Sequence, residues 1–204
     1  MNDVAAPKFS RARAALTVLV TSAATGVLIG ALWSWLAPPV HGVVALTRDG
    51  DRVRAYLGDE GDHFFVAAFL LVGMLCVVAV VAAVLVWQWR AHRGPVMTAA
   101  LATGCMLAAG VAAGLGALLV RLRYGTIDVA GAPVTPEHRV HYVVETPPVF
   151  FGHSPLQVAL TVLFPAAVAA LVYSFMAVSA ARDDLGAWPP VTAESAPPSA
   201  PTSL

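Results

Sequence analysis

Four apolar stretches, none containing Asp, Glu, Lys, Arg or His, constrain this chain more than any other feature. They cover residues 14–36, 64–87, 96–120 and 156–178. An α-helix needs about 20 residues to cross roughly 30 Å of hydrocarbon, and every stretch is at least that long. Backbone amides in lipid must find partners within their own segment, so each stretch is predicted to be a helix. Hydrophobic residues make up 58% of the chain and charged residues 12%, which fits a multi-pass membrane protein and not a soluble domain. Ion pathways, proton relays and voltage sensors set ionisable groups at membrane depth. The four stretches offer none.

The expected fold class is therefore an all-α membrane protein with four transmembrane helices, at about 14–36, 64–89, 96–120 and 155–178. An N-terminal arm, 1–13, precedes them. Residues 181–204, rich in Pro, Ser, Thr and Ala, form a tail that cannot bury a core and is expected to be disordered. The apolar run after Lys8, Arg11 and Arg13 is too long for the h-region of a signal peptide, so it reads as a retained helix.

Helix ends carry local signals. Ser10 suits the N-cap of the first helix, and Pro38-Pro39 stops it. Asp62 is expected to cap the second. Gly94-Pro95 divides the second from the third, with Gly in the C′ position and Pro at N1. Ser154-Pro155-Leu156-Gln157 reads as a capping box opening the fourth. The short 90–95 connection predicts that helices two and three are antiparallel neighbours.

Basic residues before the first helix predict a cytoplasmic N-terminus, and an even helix count brings the C-terminus to the same side. The expected location is the inner (plasma) membrane. Arg121 and Arg123 after the third helix oppose that orientation. Segments 37–63 and 121–154 then face outward. In the first, Asp49-Gly50 lies between the runs 43–47 and 53–57, a hairpin signal. In the second, 126–129 and 139–144 carry strand signals. A lone hairpin is marginal in water, so the two segments are expected to share one small extracytoplasmic sheet.

Within the membrane, Gly26-xxx-Gly30, Gly110-xxx-Gly114 and Gly104 mark faces where backbones approach closely, because lipid supplies no hydrophobic drive between helices. Pro165 is expected to kink the fourth helix by removing the bond to the Thr161 carbonyl. Cys76 and Cys105 lie in apolar stretches and read as packing residues, leaving no disulfide framework.

Candidate chemistry is confined to the outward segments. His63, His141, Glu145 and His153, with Arg121 and Arg123, form a loop site suited to an anionic headgroup. No metal site is expected, since spacing such as His138 to His141 puts strand side chains on opposite faces. No haem ligand, Walker loop or hydrolase motif occurs, so no cofactor or catalytic residue is assigned. Zero formal net charge gives no case for nucleic acid. The expected partners are the bilayer and other membrane proteins, with oligomeric state left open.

Residues 36–39 (Leu-Ala-Pro-Pro) through 47–51 (Thr-Arg-Asp-Gly-Asp), and 143–152 (Val-Val-Glu-Thr-Pro-Pro-Val-Phe-Phe-Gly), resemble a family of uncharacterised actinobacterial membrane proteins, a domain of unknown function. The resemblance implies a four-helix envelope protein of mycobacteria and relatives, and brings no activity with it. Taken together, the expected function is a non-enzymatic accessory or scaffold component of a larger membrane or cell-envelope complex. The alternatives are an extracytoplasmic ligand or headgroup binder or enzyme, and a small transporter drawing a polar path from Thr17, Thr21, Thr25, Thr103 or Thr161.

Overall fold

The computed structural model describes residues 10–180; most of the N-terminal arm and the Pro-rich tail lie outside the described residues. Four helices are long and apolar enough to cross a membrane. They are α1 (Arg11–Leu36), α2 (Asp62–Gln88), α3 (Pro95–Tyr124) and α4 (Pro155–Val178). Between them lie three strands, β1 (Val40–Leu46), β2 (Arg52–Tyr56) and β3 (Val140–Glu145).

Several helix ends follow their local chemistry. Ser10 Oγ accepts from the Arg13 amide at the start of α1. The Ser154/Gln157 capping box closes the start of α4. Others differ from expectation. Asp62 is the first residue of α2 and not its cap; Gly61 holds that position without a side-chain bond, because a 3-10 turn over Gly58–Gly61 leads straight into the helix. Gly94, at φ 137°, caps the start of α3, while α2 ends earlier, at Gln88. The third helix also runs one turn past its apolar stretch, so Arg121 and Arg123 are helical and not in a loop. Their cations sit where the α3 dipole is negative.

Small residues decide which helices meet. A Cβ on Gly26 would lie 2.5 Å from the Ala108 carbonyl oxygen, and one on Gly30 would lie 2.7 Å from that of Ala112. Gly104 faces Ser22, and Gly116 receives the Trp33 ring. This backbone-to-backbone contact makes α1–α3 the most extensive helix pair, with α2 packed chiefly on α4. The short connection between α2 and α3 thus joins helices whose mutual contact is minor, because the Gly and Ala face of α3 is taken by α1. Gly110 and Gly114 meet nothing within 4 Å. Pro165 is buried inside α4, which continues on both sides of it.

The sheet has the order β2-β1-β3 and is antiparallel throughout. The Asp49-Gly50 turn joins β1 to β2, with Gly50 at φ 91°. The 121–154 segment supplies β3, so the two inter-helix segments share one sheet. The expected strand at 126–129 is not formed. There Asp128 Oδ1 accepts from the Ala130 and Gly131 amides, both at 3.0 Å, and this local turn competes with extended pairing.

Candidate functional site beneath the sheet

Strand register sorts the sheet's side chains onto two faces. Val44 pairs with Arg54 on one side and with His141 on the other, and Val40 pairs with Glu145. Val40 and Val44 are fully buried, so this face looks toward the helices. It also carries Arg52, Arg54, His141 and Glu145. Alternate positions form the opposite face: Val43, Ala45, Val53, Ala55, Val140, Tyr142 and Val144, with His41 at the margin. Tyr142 is 72% exposed and Val140 50%. The outer face is thus largely apolar, while the inner face mixes Val40, Val44, Leu46 and Val143 with Arg52, Arg54, His141 and Glu145.

Two of the inward charges, Arg54 and Glu145, border a cleft of about 430 Å³ between the sheet, the end of α3 and the segment leading into α4. Arg54 Nη1 donates to Glu145 Oε1 at 2.8 Å across β1. Arg121 and His153 line the same cleft, with Ala117, Val120 and Phe150 among its apolar walls. The structure therefore brings together three of the six loop residues read from sequence, Arg121, Glu145 and His153. Arg54 joins them. Sequence reasoning missed Arg54, although its alternation with Val53 and Ala55 marks it as facing opposite to them.

The other three lie elsewhere. His141 borders a separate pocket of about 330 Å³ beside Asp128. Arg123 rests over its neighbour's ring, 5.2 Å from the Tyr124 centroid. His63 belongs to a cluster with Glu60 and His41. Glu60 Oε2 accepts from the His41 amide at 2.9 Å and lies 3.1 Å from His41 Nδ1 and 2.9 Å from His63 Nδ1. His63 Nδ1 also lies 3.0 Å from the Pro39 carbonyl, which only accepts, so this nitrogen carries the proton. The His41 amide, the imidazole hydrogen bond and the nearby imidazoles hold the Glu60 carboxyl below its usual value of 4.5, against an opposing contribution from burial. The cluster ties β1 to the start of α2. Among the described residues, no group of three or more His, Cys, Asp or Glu has metal-holding geometry.

The hydroxyls of Thr17, Thr21, Thr25 and Thr161 each donate to the carbonyl one turn back, at 2.7–3.0 Å. These bonds satisfy each hydroxyl within its own helix.

With this geometry described, comparison with known proteins assigns the chain. Residues 22–187 match the family described as "Protein of unknown function (DUF2567)". The chain belongs to this family. It is similar to the uncharacterized protein Rv1591 of Mycobacterium tuberculosis, with 56% identity over 173 residues, 84% of this chain and 90% of that protein. It is also similar to the uncharacterized protein ML1222 of Mycobacterium leprae, with 52% identity over 186 residues, 91% of this chain and 93% of that protein. No solved structure matches the chain. The match covers the whole sheet, α2, α3, α4 and α1 from residue 22 onward, so the cleft lies within the matched region.

Proposed function

We propose that this chain is a multi-pass protein of the inner membrane, with both termini in the cytoplasm. It serves as a non-enzymatic accessory component of a larger membrane complex, docked through the outer face of its sheet onto an apolar extracytoplasmic surface of another membrane protein. One observation carries the reading: the exposed apolar outer face of the sheet. Val53, Val140, Tyr142 and Val144 point away from the bundle while Arg54 and Glu145 point toward it. An apolar face of this kind gains from burial against a partner and not from contact with water.

Size bears on the kind of partner. Three strands about 4.8 Å apart with two or three outward residues each cover on the order of 300 Å². That is well below the roughly 800 Å² per partner of a standard stable interface. The sheet face suits one contact within a larger assembly, with helix contacts in the bilayer adding to it. It does not suit a self-sufficient soluble complex. Arg11 and Arg13 in the first turn of α1, before its apolar run, support the cytoplasmic N-terminus.

Two measurements test the proposal. Single cysteines at Ser10 and His92 should resist impermeant thiol reagents in intact cells, while those at Asp49 and Ala130 should react. Cross-linking followed by purification in mild detergent should recover a stoichiometric membrane-protein partner with the native chain and lose it with Tyr142→Asp. Recovery of a lone monomer, or equal recovery with Y142D, overturns the reading. A symmetric homodimer would give the face to a second copy instead, and would also overturn it.

A further inference from the structure

We propose that the cleft beneath the sheet binds a phosphate-headed anionic membrane lipid, with Arg121 meeting the head group. This inference shares only the bilayer placement with the proposed function and uses the opposite face of the sheet.

Charge within the cleft favours an anion. Arg54 and Glu145 neutralise each other at 2.8 Å. Arg121 makes no ion pair among the described residues, so it is the uncompensated cation of the wall. His153, on the segment leading into α4, adds a ring nitrogen that donates when protonated. A guanidinium matches two phosphate oxygens at once, which a solvated point charge does not.

Depth favours a lipid over a free anion. Arg121 ends the apolar run of α3. Ala117 lies four residues earlier on the same helical face, about 6 Å deeper along the axis. Val120, Phe64, Val149 and Phe150 continue the apolar wall. The cleft is thus polar at the level of the helix ends and apolar one turn further in, the gradient that an amphiphile itself has. A volume of about 430 Å³ falls in the range of small-ligand sites, enough for a head group and the first part of a chain. The remaining chain would leave along α3 toward its interior, where Leu118 is exposed.

Arg123 supplies the internal comparison. It carries the same charge two residues away but lies against Tyr124 and does not line the cleft. General attraction of anionic lipid to basic residues would act on both arginines alike.

The experiment uses the full chain in detergent micelles with acyl-labelled fluorescent phosphatidylglycerol and phosphatidylcholine. The native protein should prefer the anionic lipid by about tenfold, the worth of one charge-assisted contact. Arg121→Gln should abolish the preference, Arg123→Gln should keep it, and Glu145→Gln, which frees Arg54, should strengthen it. Equal binding of the two lipids overturns the proposal, as does equal loss in R121Q and R123Q. Displacement of the labelled lipid by inorganic phosphate at lipid-like concentrations would show that the apolar wall contributes nothing, and also overturns it. Thermal unfolding of R121Q at the native midpoint excludes a folding defect. Y142D should retain the lipid preference, so failure here and failure of the docking reading are separable.

Discussion

Gly26 sits against the Ala108 backbone so closely that a single added carbon would lie 2.5 Å from its carbonyl oxygen and 2.9 Å from its Cα. Neither atom belongs to a flexible side chain, so the helices themselves would have to separate. Gly26→Ala should therefore destabilise the bundle by about 1–3 kcal/mol, the cost of overpacking. Gly110→Ala, in open space on the same pair's partner helix, should leave stability unchanged or raise it by up to about 1 kcal/mol through helix propensity. Thermal unfolding of both variants in one detergent decides the matter; equal effects would refute the packing assignment.

Trp33 is completely buried, and its indole N–H donates to the Ala67 carbonyl at 2.8 Å, linking α1 to α2. These two helices share little other contact. Trp33→Phe removes the donor and part of the ring, with an expected loss of about 1–3 kcal/mol. The loss should appear as a lower unfolding midpoint, and a midpoint equal to the native value would show the bond to be dispensable.

The Glu60 carboxylate, with its pKa lowered by the His41 amide foremost, makes the attachment of β1 to α2 sensitive to acid. A carboxyl with a depressed pKa stabilises the folded state above its unfolded value, and that contribution is lost as pH falls through the folded value. The window therefore opens at about pH 4.5 and extends downward. His41 and His63 face the carboxylate from β1 and α2. The His41 amide resonance should titrate with a midpoint below 4.5, and Glu60→Gln should flatten that titration. A midpoint at or above 4.5 would contradict the arrangement.

Ser154 accepts from the Gln157 amide, and the Gln157 side chain reaches back to the Ser154 amide at 3.3 Å. Ser154→Ala should cost about 1 kcal/mol. Because Gly152 and His153 immediately before the cap line the cleft, the same variant should also weaken lipid binding there. Unchanged binding would separate the cap from the site.

The helices were legible because each apolar stretch exceeds the span of a bilayer and carries local signals such as Ser10 and Ser154. The β1–β2 hairpin was legible from Asp49-Gly50. Pairings over long sequence distances were harder to read. The short link after α2 suggested an α2–α3 pair, yet the spacing of Gly26 and Gly30 against Ala108 and Ala112 outweighs chain proximity. Of the six loop residues, Arg121, Glu145 and His153 line one cleft and the other three lie elsewhere. Arg54 escaped notice because its partner, Glu145, lies 91 residues away, and only the register of β1 with both neighbours sets them on one face. The inward direction of the charges was not legible either, since alternation fixes two faces without saying which one meets the bundle.

The middle position of β1 gives the sheet a second meaning, as a record of assembly. The hairpin of β1 and β2 is complete long before β3 exists, because α2 and α3 must be made in between. During that interval one edge of β1 stays bare, with its backbone groups open to any extended chain. Only if both intervening helices run their full course does β3 arrive at the correct end to close that edge. In the proposed membrane placement, a chain in which only one of the two helices crosses would keep that strand edge unpaired and on display.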